Sequence, residues 1–66
     1  MQILKKEMKL TGWDIPKLSD ALGVSTATIS NWRTGKYKPT AKHVDQLRKL
    51  GFSETACLEP DKEVEV

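Results

Sequence analysis

Sixty-six residues and 7.4 kDa allow one domain and no second, and a chain this short buries only about 60% of the surface its unfolded form exposes, which argues against a deep catalytic pocket. An apolar content of 38% beside 30% charge is a soluble, globular composition, and the longest apolar run, Ala56-Cys57-Leu58, excludes a transmembrane helix and a signal-peptide core. The net charge of +2 is unevenly spread: residues 1–50 carry +6 and residues 51–66 carry −4, so a basic body expected to meet a polyanion, nucleic acid first, is followed by an acidic segment expected to lie away from it.

No segment alternates apolar and polar β-formers, whereas helical spacing recurs. A first helix is predicted from about Gln2 to Thr11, with Ile3, Leu4 and Met8 on one face and Gly12 ending it. Asp14 is a good N-cap for a second helix over Ile15–Leu22, Pro16 falls in its first turn, and Trp13 can pack back as a hydrophobic staple. Ile15, Leu18 and Leu22 form its core stripe, and Gly23 is a natural left-handed stop. Ser25 then caps a third helix from Thr26 to about Arg33, so two helices meet at a steep angle across a very short turn. Ile29 and Trp32 face the core, which leaves Thr26, Ala27, Ser30 and Asn31 outward, all short and uncharged. Thr34-Gly35 breaks the helix, and Lys36-Tyr37-Lys38-Pro39 is a basic loop. Thr40 is expected to cap a fourth helix to about Leu50, with Val44, Leu47 and Leu50 inward. Ser53 can cap a last short turn to Leu58. The acidic stretch from Glu59 to Val66 has little to bury and is expected to fray.

The run Leu18-Ser-Asp-Ala-Leu-Gly-Val-Ser-Thr-Ala-Thr-Ile-Ser-Asn-Trp-Arg-Thr-Gly-Lys-Tyr-Lys-Pro39 resembles the helix-turn-helix of the Cro and phage-repressor family. The family pattern, L-A-x-x-L-G-V-S-x-x-x-I-S-x-W-E-x-G-x-x-x-P, is matched in register at most fixed positions, and the similarity covers roughly residues 13 to 51. The resemblance implies an all-α, compact four- to five-helix lambda-repressor-like domain, placed over residues 1–58 with its helix-turn-helix at 15–33, and composition adds an acidic, flexible tail at 59–66. It also implies that Thr26, Ala27, Ser30 and Asn31, with Thr28 at the margin, contact bases. The chemistry agrees. A major groove about 12 Å wide admits a helix carrying small side chains, Asn can pair bidentately with adenine, and Thr and Ala methyls can meet thymine. Ser25, Arg33, Lys36, Tyr37, Lys38 and Lys42 are the expected phosphate contacts, which set register without reading sequence. Backbone N–H groups at the starts of the second and fourth helices can join them. Neutralising about five phosphates per monomer would give a log K against log[salt] slope near −4 or −5. The chain departs from the pattern twice. Ile15 stands where the family commonly has a Gln that helps hold a phosphate, and Arg33 stands where it has Glu, which adds positive charge near the DNA.

Other residues read as structural. Trp13 and Trp32 are core aromatics, His43 is an exposed helix residue without a second ligand, and Cys57 is a small apolar side chain with no flanking cation to activate it. No metal, cofactor or small-molecule site is expected, because one Cys and one His cannot build a zinc site and no nucleophile–base set occurs. The expectation is a non-enzymatic, double-stranded-DNA-binding regulator in a reducing cytoplasm, that of a bacterium or of a phage-infected cell. Its simplest mode is repression by promoter occupancy, as a homodimer on a palindromic operator, with Phe52, Ala56, Leu58 and Val64 as candidate dimer contacts. Two rival readings remain open: an antitoxin-type autoregulator whose acidic tail meets a partner, and a helical protein-interaction module that has lost base reading, which Ile15 keeps alive.

Overall fold

The helix boundaries follow local capping chemistry. In the computed structural model, which describes residues 1–65, five helices run in chain order: α1 (Ile3–Thr11), α2 (Ile15–Leu22), α3 (Thr26–Thr34), α4 (Ala41–Lys49) and α5 (Glu54–Leu58). Asp14, Ser25 and Ser53 each accept a backbone N–H from the first turn they precede, those of Lys17, Thr28 and Ala56 respectively. Each such cap is worth about 1 kcal/mol, because it satisfies an N–H that has no partner inside the helix. Thr40 also stands at an N-cap position but makes no side-chain cap bond; its hydroxyl meets His43 Nδ1 at 3.1 Å instead.

The link between α2 and α3, like that between α1 and α2, is three residues long. Gly23 adopts a left-handed conformation with φ 69°, Val24 N–H donates back to Ser19 C=O at 3.1 Å, and the Ser19 hydroxyl donates to the Val24 carbonyl. The first bond satisfies the Ser19 carbonyl of α2, the second ties the turn back to α2, and together they set the angle at which α3 leaves.

The apolar stripes meet in one core made of Leu4, Met8, Leu18, Leu22, Ile29, Trp32, Leu47, Phe52, Ala56 and Cys57. Helix α2 packs on α3, α4 packs on α5, and α1 lies across both α5 and α3. The result measures 29 × 24 × 19 Å. Trp13 and Ile15 are half-buried against this core, as are Val44 and Leu50 of the predicted α4 stripe. Glu7 ties α1 to α5 from outside the core: its carboxylate accepts from both the backbone N–H and the hydroxyl of Ser53. His43, expected to be exposed, is half-buried, with its ring centroid 5.3 Å from that of Trp32. That contact sets the start of α4 against the inner side of α3.

The acidic segment after α5 departs from expectation. Residues 59–65 do not stand off the domain but run back along the start of α1; Val66 lies outside the described residues. Ile3 N–H donates to Lys62 C=O at 2.7 Å and Leu4 N–H to Pro60 C=O at 3.2 Å, while Val64 N–H donates to Met1 C=O at 2.9 Å. Gln2 and Glu63 form an isolated antiparallel bridge. The physical reason is reciprocal need. The first N–H groups of α1 have no intrahelical acceptor, Gln2 provides no side-chain cap, and the returning chain supplies carbonyls. Pro60 is fully buried and anchors the turn.

Candidate nucleic-acid interface

Helix α3 presents two different surfaces. Counting about 100° per residue, Ile29 and Trp32 project to one side, and both are buried. Thr26, Ala27, Ser30, Asn31 and Thr34 fall within an arc of about 140° on the other side. Of these, Thr26, Ala27, Ser30 and Thr34 are exposed and Asn31 is half-exposed. Ridges of short side chains on an exposed helix with a rigid back are what close approach to a groove floor requires.

The structure brings four of the five expected base-contacting residues onto that face: Thr26, Ala27, Ser30 and Asn31. Among the described residues the Asn31 amide and the Ser30 hydroxyl make no hydrogen bond, so both are free for an external partner. Thr28 sits at the edge of the arc. It is half-buried, and its hydroxyl shares a 2.9 Å hydrogen bond with Ser25 Oγ. Thr34 was not singled out by the sequence, because Thr34-Gly35 reads as a helix breaker. The helix in fact runs through Thr34, whose hydroxyl donates to Asn31 C=O at 3.3 Å. Counting one more turn from Ser30 would have found it.

The cationic residues are less uniform. Lys42 and Lys36 are exposed and make no ion pair among the described residues. The Lys36 ammonium lies 5.8 Å from the centre of the Tyr37 ring, and Tyr37 is well exposed. Arg33 is half-buried, with its Nε buried and unpartnered. Lys38 is already engaged, donating to Asp61 at 2.9 Å. That contact places one carboxylate of the acidic segment beside the basic loop, contrary to the expectation that the segment would lie away from it. The Lys38 ammonium, followed by Asp61's own backbone N–H, holds the Asp61 carboxyl below its ordinary range.

The two helix N-termini expected to bind phosphate differ as well. At α2 the Asp14 carboxylate accepts from Lys17 N–H at 2.8 Å, so an anion already occupies that end. At α4 no side chain caps the first turn, which leaves its N–H groups open. Of the candidate dimer contacts, Phe52 and Ala56 are withdrawn: both are buried in the chain's own core. Leu58 is half-exposed and Val64 half-buried. Leu10, on α1, is the most exposed large apolar side chain among the described residues.

Elsewhere the surface offers little chemistry. A cleft of about 200 Å³ is lined by Ala21, Leu22, Gln46, Lys49 and Leu50, and its single ionisable group, Lys49, pairs with Asp45 at 3.2 Å. Burial and the nearby Glu7 carboxylate push the Cys57 thiol up, away from the reactive thiolate. Among the described residues no helix is long and apolar enough to cross a membrane.

A capped pair of helices joined by a three-residue turn, with the second carrying a bare polar face flanked by cations, defines a DNA-binding transcription regulator of the helix-turn-helix class. The family model for this class, described as helix-turn-helix, matches residues 4–52, and the chain belongs to that family, the Cro/C1-type or lambda-repressor-like group. No curated protein and no solved structure matches it. The family binds double-stranded DNA and is typically non-enzymatic.

Proposed function

We propose that the protein binds a two-fold symmetric DNA operator as a homodimer, with α3 in the major groove of each half-site, and represses transcription by occupying the promoter, in the manner of a small phage Cro-like regulator. The observation that carries this reading is the α3 face, where Thr26, Ala27, Ser30 and Asn31 stand together, short and uncharged, with no partner for the Asn31 amide among the described residues. Asn31 and Thr26 are the main base readers. Thr28 is secondary, because its hydroxyl is turned to Ser25. Ser25, Arg33, Lys36, Tyr37 and Lys42 meet the phosphates around the helix. Lys38 is available to them only on leaving Asp61. Half-sites about one helical turn apart, roughly 34–36 Å, would suit a dimer of such domains.

The experiment is selection of binding sites from a random duplex library at two salt concentrations. An enriched palindrome is the expected outcome. A single asymmetric half-site would replace the dimer with a monomer. Weak, steeply salt-dependent retention with no motif would sink base reading altogether. One observation favours a protein-interaction role as the second reading: α2 lacks the phosphate contact common to the family, since Ile15 packs on the core and Asp14 places a carboxylate at the helix start.

A further inference from the structure

The loop after α3 holds a carboxylate of the same chain against Gly35 and Lys38. Gly35 has φ 84°, and a Cβ built there would lie 2.6 Å from Asp61 Oδ2, so the carboxylate rests directly on the glycine backbone. Its other oxygen accepts from Lys38 at 2.9 Å. Asp61 is held in this place by the strap on either side of it: Pro60 is buried, and the carbonyls of Pro60 and Lys62 accept from Leu4 and Ile3. The contact spans 23 positions in sequence and is therefore made by the tertiary fold. The Gly35 N–H is already given to Trp32 C=O, so glycine supplies room for the close approach and Lys38 supplies the donor that a DNA phosphate beside the proposed groove-reading helix would meet. A carboxylate there presents the same charge and the same acceptor oxygens to the same donor.

We propose that Asp61 is a built-in competitor for phosphate at this edge of the interface, delivered by the C-terminal strap, which weakens binding to all DNA sequences alike and leaves base reading on α3 untouched. The proposal rests on the placement of α3 in the groove. It differs from a net-charge effect because it assigns the competition to one carboxylate and one lysine. Among the described residues, Glu63 pairs with the Met1 ammonium, whereas Glu59 and Glu65 make no ion pair and Glu65 lends only its backbone carbonyl, to Lys6.

The test compares the wild-type chain with Asp61→Asn, Glu65→Gln and the double variant Asp61→Asn/Lys38→Gln, on a selected operator and on a scrambled duplex across a salt series. Asp61→Asn is expected to tighten both complexes about three- to tenfold at 50 mM salt and to steepen the salt slope by about 0.9, the signature of one added phosphate contact. The operator-to-scrambled ratio stays constant, and the double variant loses the gain. Glu65→Gln, which removes the same charge from the same strap, gains much less. Amide exchange at Ile3 and Leu4 reports whether the strap remains docked, and Asp61→Ser is the second variant if Asp61→Asn releases it. Tightening with those amides still protected supports the proposal. Tightening only when protection is lost, equal gains from Glu65→Gln, or no gain at all would overturn it. If the wild-type chain retained no duplex, the assignment of the interface would fall and the proposal with it. If it bound and Asp61→Asn gained nothing, the proposal alone would fall.

Discussion

The two halves of the candidate interface differ in how committed their polar groups are. On α3, the Asn31 amide and Ser30 hydroxyl have no partner within the described residues, and the helix beneath them is fixed by Ile29, Trp32 and the Ser25 cap. In the loop that follows, Lys38 is bound to Asp61 and Lys36 leans toward Tyr37. The groups proposed to read bases are thus rigidly mounted and tied to no protein partner among the described residues, so on meeting DNA they would exchange only water for base edges and give up little conformational freedom. Among the groups proposed to meet phosphate, Lys38 must first exchange a partner. Such a division would suit the proposed tasks: specificity needs preorganised donors and acceptors, whereas a phosphate contact sets register and strength and tolerates exchange.

That contrast can be broken most severely from behind. Trp32 is the largest fully buried side chain and supports both α3 and His43 on α4, so Trp32→Ala is expected to cost about 3–5 kcal/mol of stability. Urea denaturation measures this, and DNA binding should be lost with the fold. On the front face, Asn31→Ala should remove about 1–3 kcal/mol of operator affinity at one base position. Its melting temperature and its affinity for scrambled duplex should match those of the wild type in paired thermal and binding assays. In the loop, Gly35→Ala forces a left-handed conformation on an L side chain, at about 1–2 kcal/mol, and drives the new methyl into Asp61. The expected readout is a lower melting temperature together with lost amide protection at Ile3 and Leu4.

The smallest expected effect is on pH. Because the Asp61 carboxyl is held below its ordinary value of 3.8, its contribution to stability is present above that value. It is lost as pH falls through the lowered folded-state pKa. Melting curves of wild type and Asp61→Asn should therefore differ slightly at neutral pH and converge in strong acid. Added salt should shrink the difference, since the pair is near the surface.

Much of the helix-turn-helix was legible because its signals are local. Asp14, Ser25 and Ser53 lie three residues from the N–H groups they cap, Gly23 marks the stop of α2, and the periodicity of Leu18, Leu22, Ile29 and Trp32 identifies the buried side. The strap left no such trace. Its bonds run between backbones some sixty positions apart, from Ile3 to Lys62 and from Leu4 to Pro60, and backbone groups carry no side-chain signature. Its acidic, apolar-poor composition reads as a fraying end. The pairs that fasten the surface, Glu7 with Ser53 and Lys38 with Asp61, are ordinary surface residues until the fold brings them together. Phe52 and Ala56 were misplaced for a related reason. A core this small looks unable to cover the apolar groups of the last turn, yet Phe52 and Ala56 are buried where α5 packs against α1 and α4.

The central claim is that α3 reads base sequence. It is tested most directly by the ratio of affinities for the selected operator and a scrambled duplex of equal length, measured at one physiological salt concentration. The account predicts a ratio of about a thousandfold or more. Equal affinities for the two duplexes, both falling steeply with salt, would mean that only phosphates are contacted and would contradict it.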